Sequence, residues 1–135
     1  MKPWLTLLFV AEALVAGSQQ VLTHHSFAAT YRSDERVSVE GELVQILFRN
    51  PHSFVYVTTG EKDLDGHLVR WAVEWGGTGQ LGSQGVTRDT LKVGDRVIIT
   101  GNPGHNPSEH RIRMLMVRRP KDGFTWGARA DEVVD

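Results

Sequence analysis

The chain has no cysteine, so it can build neither a disulfide framework nor a thiolate metal site, and any bound metal must be held by nitrogen or oxygen. It has no excess of charge. Formal net charge is -1, and it stays at -1 when residues 1–23 are set aside, because only Lys2 and Glu12 go with them. That balance argues against a general nucleic-acid partner. The local basic cluster of Arg111, Arg113, Arg118, Arg119 and Lys121 is accounted for by a solvated strand face. No apolar run reaches the 18 or so residues of a membrane-spanning helix. The glycine-rich stretch "GGTGQLGSQG" lacks the GK[ST] ending and the strand context of a phosphate loop. No pairing of nucleophile, base and orienting acid stands out either.

What is present begins with the N-terminus. Lys2 precedes "WLTLLFVAEALVAG", a run of mostly apolar residues interrupted by Glu12. This is the length of a secretory h-region and too short for a bilayer span. Residues 1–23 therefore read as a signal peptide, cleaved somewhere between about residues 17 and 23. That places the mature protein in the periplasm or outside the cell, with no membrane span after leader removal. The 135-residue chain has room for one domain, expected over 24–119 and followed by a C-terminal tail over 120–135 whose end is expected to be loose.

Between leader and tail the pattern is strand-like. In "VSVEGELVQILF", Val37, Val39, Gly41 and Leu43 share one phase, and Val44, Ile46 and Phe48 share the other. A slip of one residue inside a period-2 pattern marks a bulge in a long, bent strand. "SFVYVTT", "LVRWAVEW", "RVIITG" and "RIRMLMVRR" supply four more strands, with Val69, Trp71, Val73 and Trp75 in phase and Arg70 and Glu74 facing away. The glycine-rich segment after the third strand is a weak helix at best, and Thr87 is placed to cap a short helical turn that Gly94 ends. The fold class is all-β. Five strands, the first long and bent, with a short helix or loop between the third and fourth, predict an OB-like Greek-key barrel. Its expected interior is Val39, Leu43, Trp71, Val73, Val97, Ile99 and Met114.

Six histidines are the notable chemical resource. In this architecture ligands bind across the face of the second and third strands, flanked by the 1–2 and 4–5 loops. His52 falls in the first of those loops, and His105 and His110 in the second. His67 sits in the hairpin at the other end and is left out. His24 and His25 stand at the expected leader junction. If the mature chain begins at His24, its α-amine and ring can chelate one ion together, and His25 or His52 can add a third nitrogen. Copper(II) favours tetragonal nitrogen sites of this kind, and imidazole also suits zinc. The candidate metal ligands are His24, His25, His52, His105 and His110, with copper the first expectation and zinc the second. The hairpin segment "DLDG" has only the start of a calcium loop and reads as a turn.

Taken in order, "HHSFAATY", "NPH", "TRD" and "LKVGDRVIITG" resemble a bacterial family of small exported proteins of unknown function. The resemblance covers roughly residues 24–119 and implies export and a small β-barrel, with no established activity. The leading histidines and the NPH turn of that family match His24, His25 and His52. Thr23 stands where the family usually has alanine before the histidines, and the segment after the third strand is richer in glycine here.

The sequence thus predicts an exported binding module whose partner is a metal ion or small ligand. The alternative is a metal-free module whose barrel face binds a small ligand or a periplasmic protein. An enzymatic role comes third, since nothing names a substrate.

Overall fold

The alternation read from the sequence is the one that builds the barrel. A computed structural model describes residues 27–127, and the barrel unit within it begins at Tyr31. His24 and His25 lie outside the described residues. Strands β1 (Val37–Leu47), β2 (Phe54–Lys62), β3 (Leu68–Glu74), β4 (Arg96–Pro103) and β5 (Arg111–Arg119) pair antiparallel as β3-β2-β1-β4-β5. A parallel ladder of Ala72, Val73 and Glu74 against Arg111, Ile112 and Arg113 joins β3 to β5 and closes the barrel. Closure removes most of the exposed edge that an open sheet would leave. The result is the expected small OB-like barrel.

In the first half of β1, Val39 and Leu43 face inward while Ser38, Glu40 and Glu42 are exposed. The β1–β2 register then shifts between Leu43 and Gln45, at the slip seen in the sequence. Beyond it Ile46 and Phe48 pack against the core. Val44 departs from the expected phase: it lines a cleft on the outer surface with Gln45 and Thr58. It is the extra residue of the bulge, and a bulge re-aims one side chain while the flanking pairs keep their faces.

Six of the seven expected interior residues are buried: Val39, Leu43, Val73, Val97, Ile99 and Met114. Trp71 is partly buried and packs against that cluster. The cluster also holds Leu81, Val86 and Leu91 from the β3–β4 connection. Helix α1 (Thr78–Ser83) falls in the glycine-rich segment rather than after Thr87. Its composition is poor for a helix, and fully buried Leu81 explains why it forms: tertiary packing overrides weak propensity. The Thr87 region makes turns instead, with the Thr87 amide donating to Thr90 Oγ1 at 2.8 Å and the Thr90 amide to the Thr87 carbonyl at 3.1 Å.

A sixth strand, β6 (Phe124–Gly127), lies in the C-terminal tail segment, where the sequence predicts no strand, and pairs with β5 outside the barrel. Trp126 packs edge-on to Trp75, with ring centroids 5.3 Å apart. Arg119, 17% exposed, clamps the β5–β6 corner. It donates to Asp95 Oδ2 at 2.7 Å, to the Thr90 carbonyl at 2.9 Å and to both oxygens of Asp122 at 3.0 and 2.8 Å. Burial pushes the Asp95 carboxyl up, but the Lys92 amide and the Arg119 guanidinium outweigh it and hold the group below its ordinary range.

A carboxyl lowered on folding contributes stability that is present above its unfolded value, near 3.9, and lost as pH falls through the folded value. Stability should therefore drop below about pH 4, and Arg119→Ala should cost about 1–2 kcal/mol at pH 7, a figure reduced for partial solvent screening. Denaturation at pH 7 and pH 3 measures both. The difference between variant and parent should shrink at the lower pH; an unchanged difference would show that the ion pair contributes nothing.

Candidate functional site

The loop between β1 and β2 is held by one small residue. Ser53 is fully buried. Its hydroxyl donates to the Arg49 carbonyl at 3.2 Å and accepts from the Arg49 amide at 3.1 Å, closing the turn on itself. Its backbone ties the turn to the exit of β3: the Ser53 amide donates to the Gly76 carbonyl at 3.0 Å and the Trp75 amide to the Ser53 carbonyl at 2.8 Å. The Asn50–Pro51 peptide in this turn is cis. Gly77 lies so close that a β-carbon there would collide with the Pro51 carbonyl and stand 2.8 Å from Asn50 Oδ1. The NPH turn is thus fixed against the end of β3, and His52 is carried with it.

There His52 meets Glu74. Nδ1 of His52 lies 2.5 Å from Glu74 Oε1, and the Tyr31 hydroxyl donates to Glu74 Oε2 at 2.5 Å. Each carboxylate oxygen therefore has a partner from a different element: Oε1 from the β1–β2 turn, Oε2 from the entry to the barrel. Glu74 is only 12% exposed, His52 36%. Tyr31 is buried, held by a bridge to Gly104 and by the Arg111 guanidinium 5.7 Å from its ring centre. Burial, then the neighbouring Glu74 carboxylate, push the Tyr31 hydroxyl well above its ordinary value, with Arg111 pulling the other way. The phenol stays protonated and acts as a donor. A carboxylate oxygen accepts, so Nδ1 of His52 is the donor in its pair with Glu74. A carboxylate on one ring nitrogen orients metal-binding histidines and raises their basicity.

Neither Tyr31 nor Glu74 is among the candidate residues read from the sequence. The signal for Glu74 was a single acid among the apolar and aromatic residues of "LVRWAVEW"; facing away from the core looked like facing water. The burial of its outer-face position comes from Tyr31 and the NPH turn, both distant in sequence.

The other histidines among the described residues are dispersed. His110 stands in left-handed backbone geometry, φ 48°, at the end of a single 3-10 turn over Pro107–Glu109. Its carbonyl accepts from the Ala72 amide at 2.9 Å, and its ring packs edge-on to Trp71 at 5.1 Å between centroids. His105 is exposed, and its carbonyl accepts from Arg32 at 3.0 Å. Among the described residues no three-ligand group joins His52 to His105 or His110.

The group that does gather is Asp63, Asp65 and His67 in the β2–β3 hairpin, all exposed, with ligand atoms within 4.8 Å of one another. Asp63 Oδ1 already accepts from the amides of Asp65 and His67, each at 2.9 Å. That is the bonding of an Asx-type turn, the expected reading of this hairpin.

No curated protein and no solved structure matches this chain. A family model does, over residues 12–113, which include the barrel from Tyr31 to Arg113, the third residue of β5. The chain belongs to the family of unknown function DUF6152.

Proposed function

We propose that the protein is an exported binding module that holds a copper or zinc ion through histidines, with His52 as the ligand supplied by the barrel. The supporting observation is the 2.5 Å bond between His52 Nδ1 and Glu74. Holding one ring nitrogen on a buried carboxylate sets the orientation of the imidazole and restricts the tautomer choice that a mobile surface histidine keeps. Glu74 is itself fixed by Tyr31, so the ring orientation is set before any ion arrives. His24 and His25 enter from the sequence. Tyr31, six residues after His25 in the sequence, donates to Glu74. Export rests on the leader-like composition of residues 1–23.

Protein recovered from its exported form should carry one copper or zinc ion per chain, measured by metal analysis beside intact mass. His52→Ala should abolish that stoichiometry, and His67→Ala should leave it intact. Glu74→Gln should weaken binding by about 10–100-fold, the usual effect of losing an outer partner of a ligating histidine. An apo protein that takes up neither copper nor zinc, or a His52→Ala variant that binds like the parent, would exclude this reading.

A further inference from the structure

The outer surface of β1, β2 and β3 carries a cleft of 290 Å³ lined by Val44, Gln45, Thr58, Leu68 and Arg70. The β1 bulge creates its apolar side. Val44 is re-aimed outward, next to Leu68, which begins β3 and is 53% exposed. Arg70 forms the polar side, and its guanidinium is held in place. It donates to Gln45 Oε1 at 2.7 Å and lies 4.9 Å from the centre of the Tyr56 ring. Backbone register explains why these groups meet: Gln45 pairs with Tyr56 and Thr58 with Arg70, so all four project from the same side of adjacent strands. The Thr58 hydroxyl accepts from the Gly60 amide at 3.3 Å, which leaves its own proton to donate.

A guanidinium has five N–H donors, and one bond to Gln45 uses a fraction of them. Among the described residues no carboxylate pairs with Arg70. The bond to Gln45 and the contact with the Tyr56 ring restrain the guanidinium, so less rotamer entropy remains to be lost when an anion binds. A pre-oriented guanidinium next to exposed Leu68 and half-buried Val44 is complementary to a molecule with a carboxylate at one end and hydrocarbon at the other.

We propose that this cleft is a binding site for a small aliphatic carboxylate, its carboxylate on Arg70 and its hydrocarbon body against Val44 and Leu68. The site shares no residue with the His52 centre and stands apart from the metal reading. Its volume is at the small end of the roughly 300–1,000 Å³ usual for ligand pockets, so the ligand is a few carbons long. A free short-chain fatty acid and the C-terminus of a peptide ending in an aliphatic residue both have this chemistry.

Titration of the folded protein with hexanoate, N-acetyl-leucine and hexylamine, followed by amide NMR shifts, tests it. The two carboxylates should shift Val44, Thr58, Leu68 and Arg70 together, and hexylamine, with a similar body and the opposite charge, should not. Tighter binding by N-acetyl-leucine assigns the site to peptide termini, and tighter binding by hexanoate to fatty acids. Arg70→Gln should lower carboxylate affinity about tenfold, and Leu68→Ser about fivefold. The same spectra report whether each variant is folded. Shifts scattered over the barrel, hexylamine binding as well as hexanoate, or an unaltered affinity in folded Arg70→Gln would each overturn the proposal.

Discussion

Gly101→Ala should destabilise the barrel by roughly 2–4 kcal/mol, among the largest effects of adding a single methyl group anywhere in this chain. Gly101 lies on β4 opposite Met114, where the β4–β5 register shifts. A β-carbon there would collide with the Arg113 carbonyl oxygen and stand 2.6 Å from Ile112 Cγ2. The obstacle is mostly backbone, which cannot rotate out of the way as a flexible side chain would. Ile112 and Arg113 are also the residues through which β5 pairs with β3, so pushing β5 away from β4 strains the closure on its other side. Gly79→Ala is the matching control. That position is inside α1 and a β-carbon there meets nothing within 4 Å, so the change should stabilise by about 0.5–1 kcal/mol through helix propensity. Denaturant midpoints of the two variants should move in opposite directions. A parallel small change in both would mean that β4 and β5 are not in close contact at Gly101.

The strands were legible because a small closed barrel imposes a period of two on every strand, and the burial of Val39, Leu43, Val73, Val97 and Ile99 follows that period directly. The bulge was legible for the same reason, as a break in the period. Its consequence for Val44 was not, since which side chain a bulge re-aims depends on how the partner strand pairs around it. Helix α1 was hidden by six residues that include Gly79 and Gly82; only a core able to bury Leu81 shows why they are helical. β6 was hidden by its four-residue length, too short for a periodic signal.

The candidate site divides along similar lines. His52 is a candidate by residue type and by its place in the loop that flanks the β2–β3 face. The carboxylate that orients it was not, because period alone puts Glu74 on the outer face and cannot tell a solvated outer position from one covered by Tyr31. Sequence pattern reads a residue's side of its own strand well. It reads poorly what arrives from elsewhere to cover that side, and polar networks are assembled from such arrivals. Tyr31, His52 and Glu74 come from the barrel entry, a turn and a strand end, with no spacing that marks them as a unit.

Adding one alanine before His24 should lower copper(II) affinity by at least about 100-fold, beyond the 10–100-fold typical of losing an outer partner, provided mature protein begins at His24. A terminal histidine chelates through its α-amine and its ring, and both must be unprotonated to bind. Affinity should accordingly fall as pH drops through the α-amine range near 8 and the imidazole range near 6.5. The extension leaves every histidine in place and removes only the short link between amine and ring, so it separates a terminal chelate from a site made of side chains alone. His52→Ala should weaken binding comparably, since it takes away the nitrogen that Glu74 orients. The measurement is a competition titration with a copper chelator, made on mature, extended and His52→Ala proteins whose N-terminal residues have been verified. If the extended protein binds as tightly as the mature one while His52→Ala still weakens binding, the amine plays no part and the ligands are side chains. If His52→Ala is also without effect, the Tyr31–Glu74–His52 network is structural, and the barrel holds no metal through it.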